Sequence, residues 1–316
     1  MFRLSRNNKS QFGLGTIAVV LVLIAAGGWG VATFFDHRAR NVDMREAVEE
    51  NDIEKAKQLL AAGASPDGRS LFGQYAYVSH DGYRPLVHAI NEHNDVMVRL
   101  LVESGAELYF GDPKYYESAV RWALYRCNQA AVVYFVYEAP GFDTQREDVD
   151  EMLRLSADCG YFELVDYWIE NGADARGKAN KNGDMLGTPL NRAVMNGYPA
   201  IARVLIEHGA PVDIVSEGYP PGTPLAVACA EGSPEMVVLL LELDADPNQE
   251  SRGVLPLYYA VMQDDVDTIR LLLAAGADPT LTDPDGDNAI TIAQQEGKIE
   301  IVQLLTSWTP EDAIID

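Results

Sequence analysis

The chain has 316 residues, of which 47% are hydrophobic, and its 48 acidic and 24 basic side chains give a formal net charge of −24. Such a negative field repels nucleic acid and anionic lipid, which excludes DNA or RNA binding as the main activity. The three cysteines are too few for a disulfide scaffold.

The first forty residues differ in composition from the rest. A basic tail, residues 1–11, precedes residues 12–35, which contain no charged side chain and are rich in Val, Leu, Ile, Ala and Gly. About 20 apolar residues span a bilayer, and a cleavable signal has a shorter apolar stretch, so we expect an uncleaved transmembrane anchor over 12–35. A cleaved signal sequence is the alternative. Residues 36–42 are expected to form a linker.

The orientation of this anchor rests on few charges. Three basic residues precede it and three follow it, namely Arg3, Arg6, Lys9, Arg38, Arg40 and Arg45. The bias is nearly flat, and the short basic tail favours a cytoplasmic N-terminus. We therefore expect the rest of the chain outside the cytoplasm, in the periplasm if the source is bacterial. A cytoplasmic location is the alternative.

After the anchor, an apolar run ends five times in Gly-Ala, and the next run often opens with Pro-Leu. The Gly-Ala pairs begin at Gly63, Gly105, Gly172, Gly209 and Gly276, and the Pro-Leu pairs at Pro85, Pro189, Pro224 and Pro256. A period of about 33 residues accommodates one helix pair and a loop, a unit that buries its apolar face only against another copy. The sequence therefore predicts a stack of helix pairs.

The clearest copies are GTPLNRAVMNGYPAIARVLIEHGAPVD, GTPLAVACAEGSPEMVVLLLELDADPN and VLPLYYAVMQDDVDTIRLLLAAGADPT, which begin at Gly187, Gly222 and Val254. They resemble ankyrin repeats. The resemblance implies an all-α solenoid in which a Thr-Pro turn starts an inner helix and an outer helix then returns. Gly-Ala-Asp closes the unit before a finger-like loop.

The repeat register extends over residues 43–308 as about eight helix pairs, followed by an acidic tail over 309–316. Proline suits the first position of a helix, and glycine suits a left-handed C-terminal cap. The copies over 116–142 and 148–174 are degraded, and Cys127 stands where a turn glycine belongs. Both remain in step with their neighbours.

Loops and inner helices supply the candidate contacts, because this family presents its variable contacts there. The loops after the first two repeats carry Phe72, Tyr75, Tyr77, Tyr83, Tyr109, Phe110, Tyr115 and Tyr116, which form either a contact patch or a satellite core. The register places His88, Trp122, Arg154, Arg192, Val227 and Tyr259 toward the groove. The predicted protein-binding residues are Tyr75, Tyr77, Tyr83, His88, Tyr109, Tyr115, Tyr116, Trp122, Arg192, Tyr219 and Tyr259.

The sequence predicts no catalytic, cofactor or metal site. There is no HExxH or GxSxG motif, and the aspartates of TDPDGDN, Asp283 to Asp287, fit a turn better than a calcium loop. Cys127 and Cys159 fall near corresponding turns and could meet in an oxidising compartment, although stacked equivalents usually lie too far apart to pair. Cys229 is expected to be a small buried filler.

These patterns predict a membrane-anchored adaptor or scaffold that binds a protein partner through its concave face and loops, and the acidic field would steer a basic partner. The alternative is an inhibitor of the immunity type that sequesters a basic toxin or enzyme. An enzyme is not expected, because a solenoid offers an open groove without a water-excluding pocket. Neither a small-molecule substrate nor a nucleic acid is expected as a ligand.

Overall fold

The computed structural model describes residues 40, 43–68, 84–110, 117–177, 187–216, 219–250 and 253–309. It comprises two compact units, Met1–Asp143 and Thr144–Asp316. The predicted anchor over 12–35 and the basic tail before it lie outside the described residues. Within the described ranges, no helix is both long enough and apolar enough to span a membrane.

The described part of the first unit contains three consecutive helix pairs. They are α1 (43–49) with α2 (Ile53–Ala61), α3 (Pro85–Asn91) with α4 (Asp95–Glu103), and α5 (Ala119–Tyr125) with α6 (Gln129–Tyr137). The inner helices α3 and α5 pack together, and the outer helix α4 packs on α2 and α6. A short antiparallel hairpin, β1 (Tyr109–Phe110) and β2 (Glu117–Ser118), precedes α5.

The described part of the second unit contains five pairs after a 3₁₀ turn at Thr144–Arg146. They are α7 (Val149–Cys159) with α8 (Phe162–Glu170), α9 (Pro189–Met195) with α10 (Pro199–Glu207), α11 (Pro224–Ala230) with α12 (Pro234–Glu242), α13 (Pro256–Met262) with α14 (Val266–Ala274), and α15 (Ala289–Gln295) with α16 (Ile299–Ser307). The inner helices α7, α9, α11, α13 and α15 pack in chain order, as do the outer helices α8, α10, α12 and α14. The described helices thus form the eight pairs that the repeat register predicts.

Local signals start these helices as predicted. Pro189 and Pro224 are the first residues of α9 and α11, where the missing backbone donor costs nothing. The hydroxyls of the preceding Thr188 and Thr223 accept hydrogen bonds from backbone amides of the first turn, at 3.1 and 3.2 Å. The core lies between inner and outer helices. Its fully buried alanines, such as Ala193, let neighbouring inner helices approach closely.

Left-handed residues close the helices. The five Gly-Ala glycines all have φ between +89° and +96°. The turn between the two helices of a pair also requires positive φ, and there Cys127 at +45° and Asp264 at +61° replace glycine. The prediction that Cys127 occupies a turn position is therefore confirmed.

The three cysteines differ in oxidation state. Cys229 is a free thiol in the interior of α11, and burial raises its pKa well above the usual range. It is the buried filler that the sequence predicts. Cys127 and Cys159 are each disulfide-bonded.

Two glycines with positive φ allow a matched test of close packing between loops. A Cβ on Gly253 would lie 2.4 Å from Cδ of Pro284, whereas a Cβ on Gly276 would meet nothing within 4 Å. We expect Gly276→Ala to lower the free energy of unfolding by about 1 kcal/mol through backbone strain. Gly253→Ala should cost about 1–3 kcal/mol more, because the rigid proline ring cannot yield. Urea denaturation of both variants measures the difference, and equal losses would contradict the packing argument.

Candidate protein-binding surface

Five of the predicted contact residues lie outside the described residues. They are Tyr75, Tyr77, Tyr83, Tyr115 and Tyr116. The remaining six are His88, Tyr109, Trp122, Arg192, Tyr219 and Tyr259. The contacts and exposure of these six residues decide which of them form an exposed surface.

The two described aromatics of the second loop pack within their own unit. The hydroxyl of Tyr109 accepts a hydrogen bond from the backbone N–H of Asp143 at 2.7 Å and donates one to its carbonyl at 3.0 Å. Phe110 is buried, and the guanidinium of Arg84 lies 4.6 Å from its ring centroid. Tyr109 and Phe110 therefore belong to a satellite core and not to an exposed contact patch.

The inner helices of the first unit carry a half-buried polar and aromatic row. His88 on α3 and Trp122 on α5 are both half-buried. The indole N–H of Trp122 donates to the side-chain oxygen of Asn91 at 2.9 Å. Sequence reasoning missed Tyr125, which ends α5 and is 46% exposed. A guanidinium N–H of Arg121 donates to its hydroxyl at 3.0 Å, so this tyrosine presents a fixed ring.

Arg192 and Tyr219 come together in the second unit. The Cζ atom of Arg192 lies 5.6 Å from the ring centroid of Tyr219. Its Nη1 lies 3.3 Å from Oδ1 of Asp158, which also accepts a bond from the amide of Asn196 at 3.0 Å. The Arg192 side chain is only 12% exposed, whereas Tyr219 is 59% exposed. The arginine thus supports an exposed aromatic ring.

The loop that carries Tyr219 is held at several points. Ser216 and Gly222 exchange two backbone hydrogen bonds of 3.0 Å across its base. The buried amide of Asn191 donates to the carbonyl of Gly222 at 2.9 Å. A Cβ on Gly187 would lie 2.2 Å from the carbonyl oxygen of Tyr219, so this glycine permits a close approach of two backbones. The exposed ring is therefore presented from a defined loop.

Tyr259 and two methionines extend the apolar part of this surface. Tyr259 on α13 and Met195 at the end of α9 are half-exposed. Met262 at the end of α13 is 47% exposed, and sequence reasoning did not single it out. We define the inner face as Arg192, Met195, Tyr219, Tyr259 and Met262. It presents two tyrosines, two thioethers and one neutralised arginine.

Two register predictions were wrong. Arg154 is 6% exposed, and its Nε and Nη2 donate to the carboxylate of Glu151 at 2.8 and 2.9 Å. If Gly160 is matched to Gly197, Leu155 and not Arg154 takes the position of Arg192. Val227 does occupy that position but is only 4% exposed, so it belongs to the core.

Two loop aspartates, Asp213 and Asp278, have pKa values that are shifted in opposite directions. Oδ1 of Asp213 accepts the backbone N–H of Asp246 at 3.0 Å. Burial raises the pKa of Asp213, and the charge of Asp246 adds to the rise against the effect of this hydrogen bond. Hydrogen bonds from the side chain and backbone of Thr280, at 2.7 and 2.8 Å, lower the pKa of Asp278.

The Asp283 loop has the geometry of a turn. Oδ1 of Asp283 accepts the backbone N–H groups of Asp285 and Asp287, both at 2.9 Å. The carboxylate that a calcium ion would use thus holds the loop before α15. Asp283 therefore has a structural role in this loop.

Comparison with known proteins identifies the family to which these repeats belong. A family model described as Ankyrin repeats (3 copies) matches residues 152–251 and 248–313, which together make up just over half of the chain. Ankyrin repeat and KH domain-containing protein mask-1 of Caenorhabditis elegans is 28% identical over 284 residues, covering 85% of this chain and 11% of that protein.

Two further relatives match shorter segments. Ankyrin repeat protein nuc-2 of Neurospora crassa is 36% identical over 127 residues, which cover 40% of this chain and 12% of that protein. Ankyrin repeat and SOCS box protein 11 of Mus musculus is 32% identical over 125 residues, which cover 40% of this chain and 38% of that protein. The chain therefore spans less than half the length of each of these relatives.

Replacing Asp213 or Asp278 by asparagine is expected to change the free energy of unfolding in opposite directions. The raised folded pKa of Asp213 means that its ionised form destabilises the fold at neutral pH, a cost that disappears as pH falls through that pKa. The lowered folded pKa of Asp278 means that its ionised form contributes stability, which is lost as pH falls through that pKa. We expect Asp213→Asn to raise, and Asp278→Asn to lower, the free energy of unfolding at pH 7. Urea denaturation from pH 7 into acid checks both signs, and changes of the same sign would contradict the assignment.

Proposed function

This chain belongs to the ankyrin-repeat family, whose repeats mediate protein–protein interaction, and from that premise we propose that it is a membrane-anchored adaptor or scaffold. Its partner is a protein that binds along the inner face and the adjoining loops. The observation that carries the proposal is the exposed ring of Tyr219. This tyrosine lies on a loop that is held at its base, and the guanidinium of Arg192 supports its ring. Tyrosine and arginine are among the residues that most often carry binding energy at interfaces.

The inner face also suits a protein partner in its composition. Met262 and Tyr219 are about half exposed, and Tyr259 lies on the same helix as Met262. Thioethers adapt to an incoming surface, while aromatic rings supply a large contact area at low entropic cost. Such a surface favours a partner segment with apolar side chains.

The membrane part of the proposal rests on residues 12–35. Their uncharged apolar composition motivates an anchor with a cytoplasmic N-terminus and with the repeats outside the cytoplasm. A repeat domain attached there would concentrate its partner at the membrane. The opposite orientation would instead recruit a cytosolic partner.

The second candidate function is inhibition of a basic toxin or enzyme. Residues 219–309 contain 15 acidic side chains and three basic ones, so this part of the second unit attracts positive charge. An inhibitor would abolish the activity of its partner in a one-to-one complex. An adaptor would leave that activity unchanged and bring the partner to the membrane.

Alanine substitution of the exposed tyrosines tests the binding surface. We expect Tyr219→Ala and Tyr259→Ala each to raise the dissociation constant of the complex with the protein partner about tenfold, as for residues at the centre of an interface. Binding titration of the full-length protein measures this change. Tyr137→Ala is the control, because Tyr137 is 54% exposed on the outer helix α6. If all three variants bind alike and remain folded by circular dichroism, the inner face is not the binding surface.

Reporter fusions after Asp316 test the orientation. We expect a reporter that is active only outside the cytoplasm to show activity, and one that is active only inside to be silent, because the basic tail stays inside. The size of the membrane-bound product shows whether residues 12–35 are retained. Activity of the interior reporter would replace our orientation with the opposite one. A cleaved product would exclude the anchor.

A further inference from the structure

The outer helices α4 and α6 of the first unit border a pocket that shares no residue with the inner face. Its volume is about 160 Å³, and its lining consists of Asp95, Val98, Arg99, Ala130, Ala131 and Tyr134. An engineered cavity of about 150 Å³ admits benzene, whereas one water molecule takes about 30 Å³ of the liquid. The pocket is therefore large enough for a small organic group. We call it the outer pocket.

Two oxygen atoms of the lining are buried without a hydrogen bond. Within the part of the chain that the structure describes, neither Oδ1 of Asp95 nor Oη of Tyr134 has a hydrogen-bond partner. Tyr134 is only 3% exposed, so its hydroxyl depends on an occupant of the pocket for a hydrogen bond. Buried polar atoms are nearly always paired, because an unpaired one loses its hydration without compensation. Both oxygens therefore favour an occupant with hydrogen-bonding groups.

The charges around the outer pocket favour a cationic occupant. The guanidinium of Arg99 donates to the carboxylate of Glu138 at 2.6 and 3.1 Å, so its charge is already balanced. Its Cζ atom also lies 4.3 Å from the ring centroid of Tyr134. Among the described residues, no basic side chain forms an ion pair with Asp95. A positively charged ligand would therefore compensate the Asp95 carboxylate.

The hydroxyl of Tyr134 is suited to accept a hydrogen bond from such a ligand. Burial raises the pKa of Tyr134, and the nearby charge of Glu103 adds to the rise. The hydroxyl therefore stays neutral at pH 7, where it has lone pairs to accept an N–H group. The rest of the lining includes the side chains of Val98, Ala130 and Ala131, which offer apolar contacts.

We propose that the outer pocket binds a primary alkylammonium group, the chemistry of a lysine side chain or of a free aliphatic amine. An ammonium has three N–H donors. One bonds to Oδ1 of Asp95 and another to Oη of Tyr134, so both oxygens gain a partner at once. The alkyl chain lies against the apolar part of the lining. Charge-assisted hydrogen bonds are about twice as strong as neutral ones, so Asp95 contributes most of the selectivity.

Other occupants fit the outer pocket less well. An anion would be repelled by the Asp95 carboxylate, and a hydrocarbon would leave both oxygens unpaired. A neutral alcohol or amide can pair the oxygens but leaves the carboxylate charge uncompensated. Water pairs the oxygens equally well and is the competing occupant in the experiment.

Small analogues of the lysine side chain test the chemistry. The probes are n-butylammonium, which has the four-carbon chain of lysine, and 1-butanol, a neutral molecule of nearly the same size. Ligand-observed NMR titration of the full-length protein at low salt measures each dissociation constant. We expect a value of the order of 1 mM for n-butylammonium, as suits an efficient ligand of this size. 1-Butanol should bind about tenfold more weakly.

Matched variants test the location. Asp95→Asn should raise the dissociation constant of n-butylammonium about tenfold and Tyr134→Phe about threefold, because each removes one acceptor. The controls are Glu103→Gln and Tyr137→Phe, which lie on the same two helices outside the pocket lining. Each control should change binding by less than about twofold, because the field of an exposed charge is screened. Circular dichroism and urea denaturation verify that all four variants fold.

A lysine derivative distinguishes the two sources of the ammonium. N-acetyl-lysine N-methylamide carries the same chain on a peptide backbone. Binding as tight as that of n-butylammonium, or tighter, would assign the outer pocket to a lysine of a protein partner. Weaker binding would assign it to a free amine, because the backbone amides would then hinder entry.

Three results would overturn the inference. Equal binding of n-butylammonium and 1-butanol would exclude recognition of the ammonium. Equal losses in Asp95→Asn and Glu103→Gln would mean attraction by net charge alone. No binding of n-butylammonium at about ten times the expected dissociation constant would leave the outer pocket to water. The proposed function is tested separately by Tyr219→Ala on the inner face, so either proposal can fail without the other.

Discussion

Each helix pair in this chain has an apolar side that only a neighbouring pair can cover, and the rest of the structure depends on that stacking. In the second unit, α9 buries Leu190 and Ala193 completely, and α11 does the same with Leu225 and Ala228. The small residues bring the inner helices together, so their remaining surface forms one continuous face. Exposed residues on that face can vary because they are not needed for the stack.

The fold was predictable because its signals are local. Pro189 and Thr188 mark a helix start within two residues, and Gly209 marks an end through its own backbone conformation. The register of α7 was harder to predict. This helix has 11 residues and starts without proline. The predicted register placed Arg154 on the surface, whereas counting back from Gly160 places Leu155 at the position of Arg192, and Arg154 is buried.

The candidate site was only partly predictable, because its geometry joins residues distant in sequence. Arg192 and Tyr219 could be named individually from register and loop position, but not their stacking, which depends on how the loop is closed by Ser216 and Gly222. Tyr125 and Met262 were not predicted, and each is the exposed last residue of its helix. The exposure of such residues depends on the geometry of the turn between the two helices of a pair, which is difficult to predict from the sequence.

The bonds between successive finger loops have a consequence for how the chain acquires its structure. The bond from Asp246 to Asp213 spans 33 residues, and that from Asp278 to Asn248 spans 30. Both separations are about one repeat, so the loop-closure entropy of each contact is small and similar. The second unit therefore has low relative contact order, which favours rapid folding that propagates from repeat to repeat. On the ribosome, each repeat can dock as soon as it emerges, without waiting for the end of the chain.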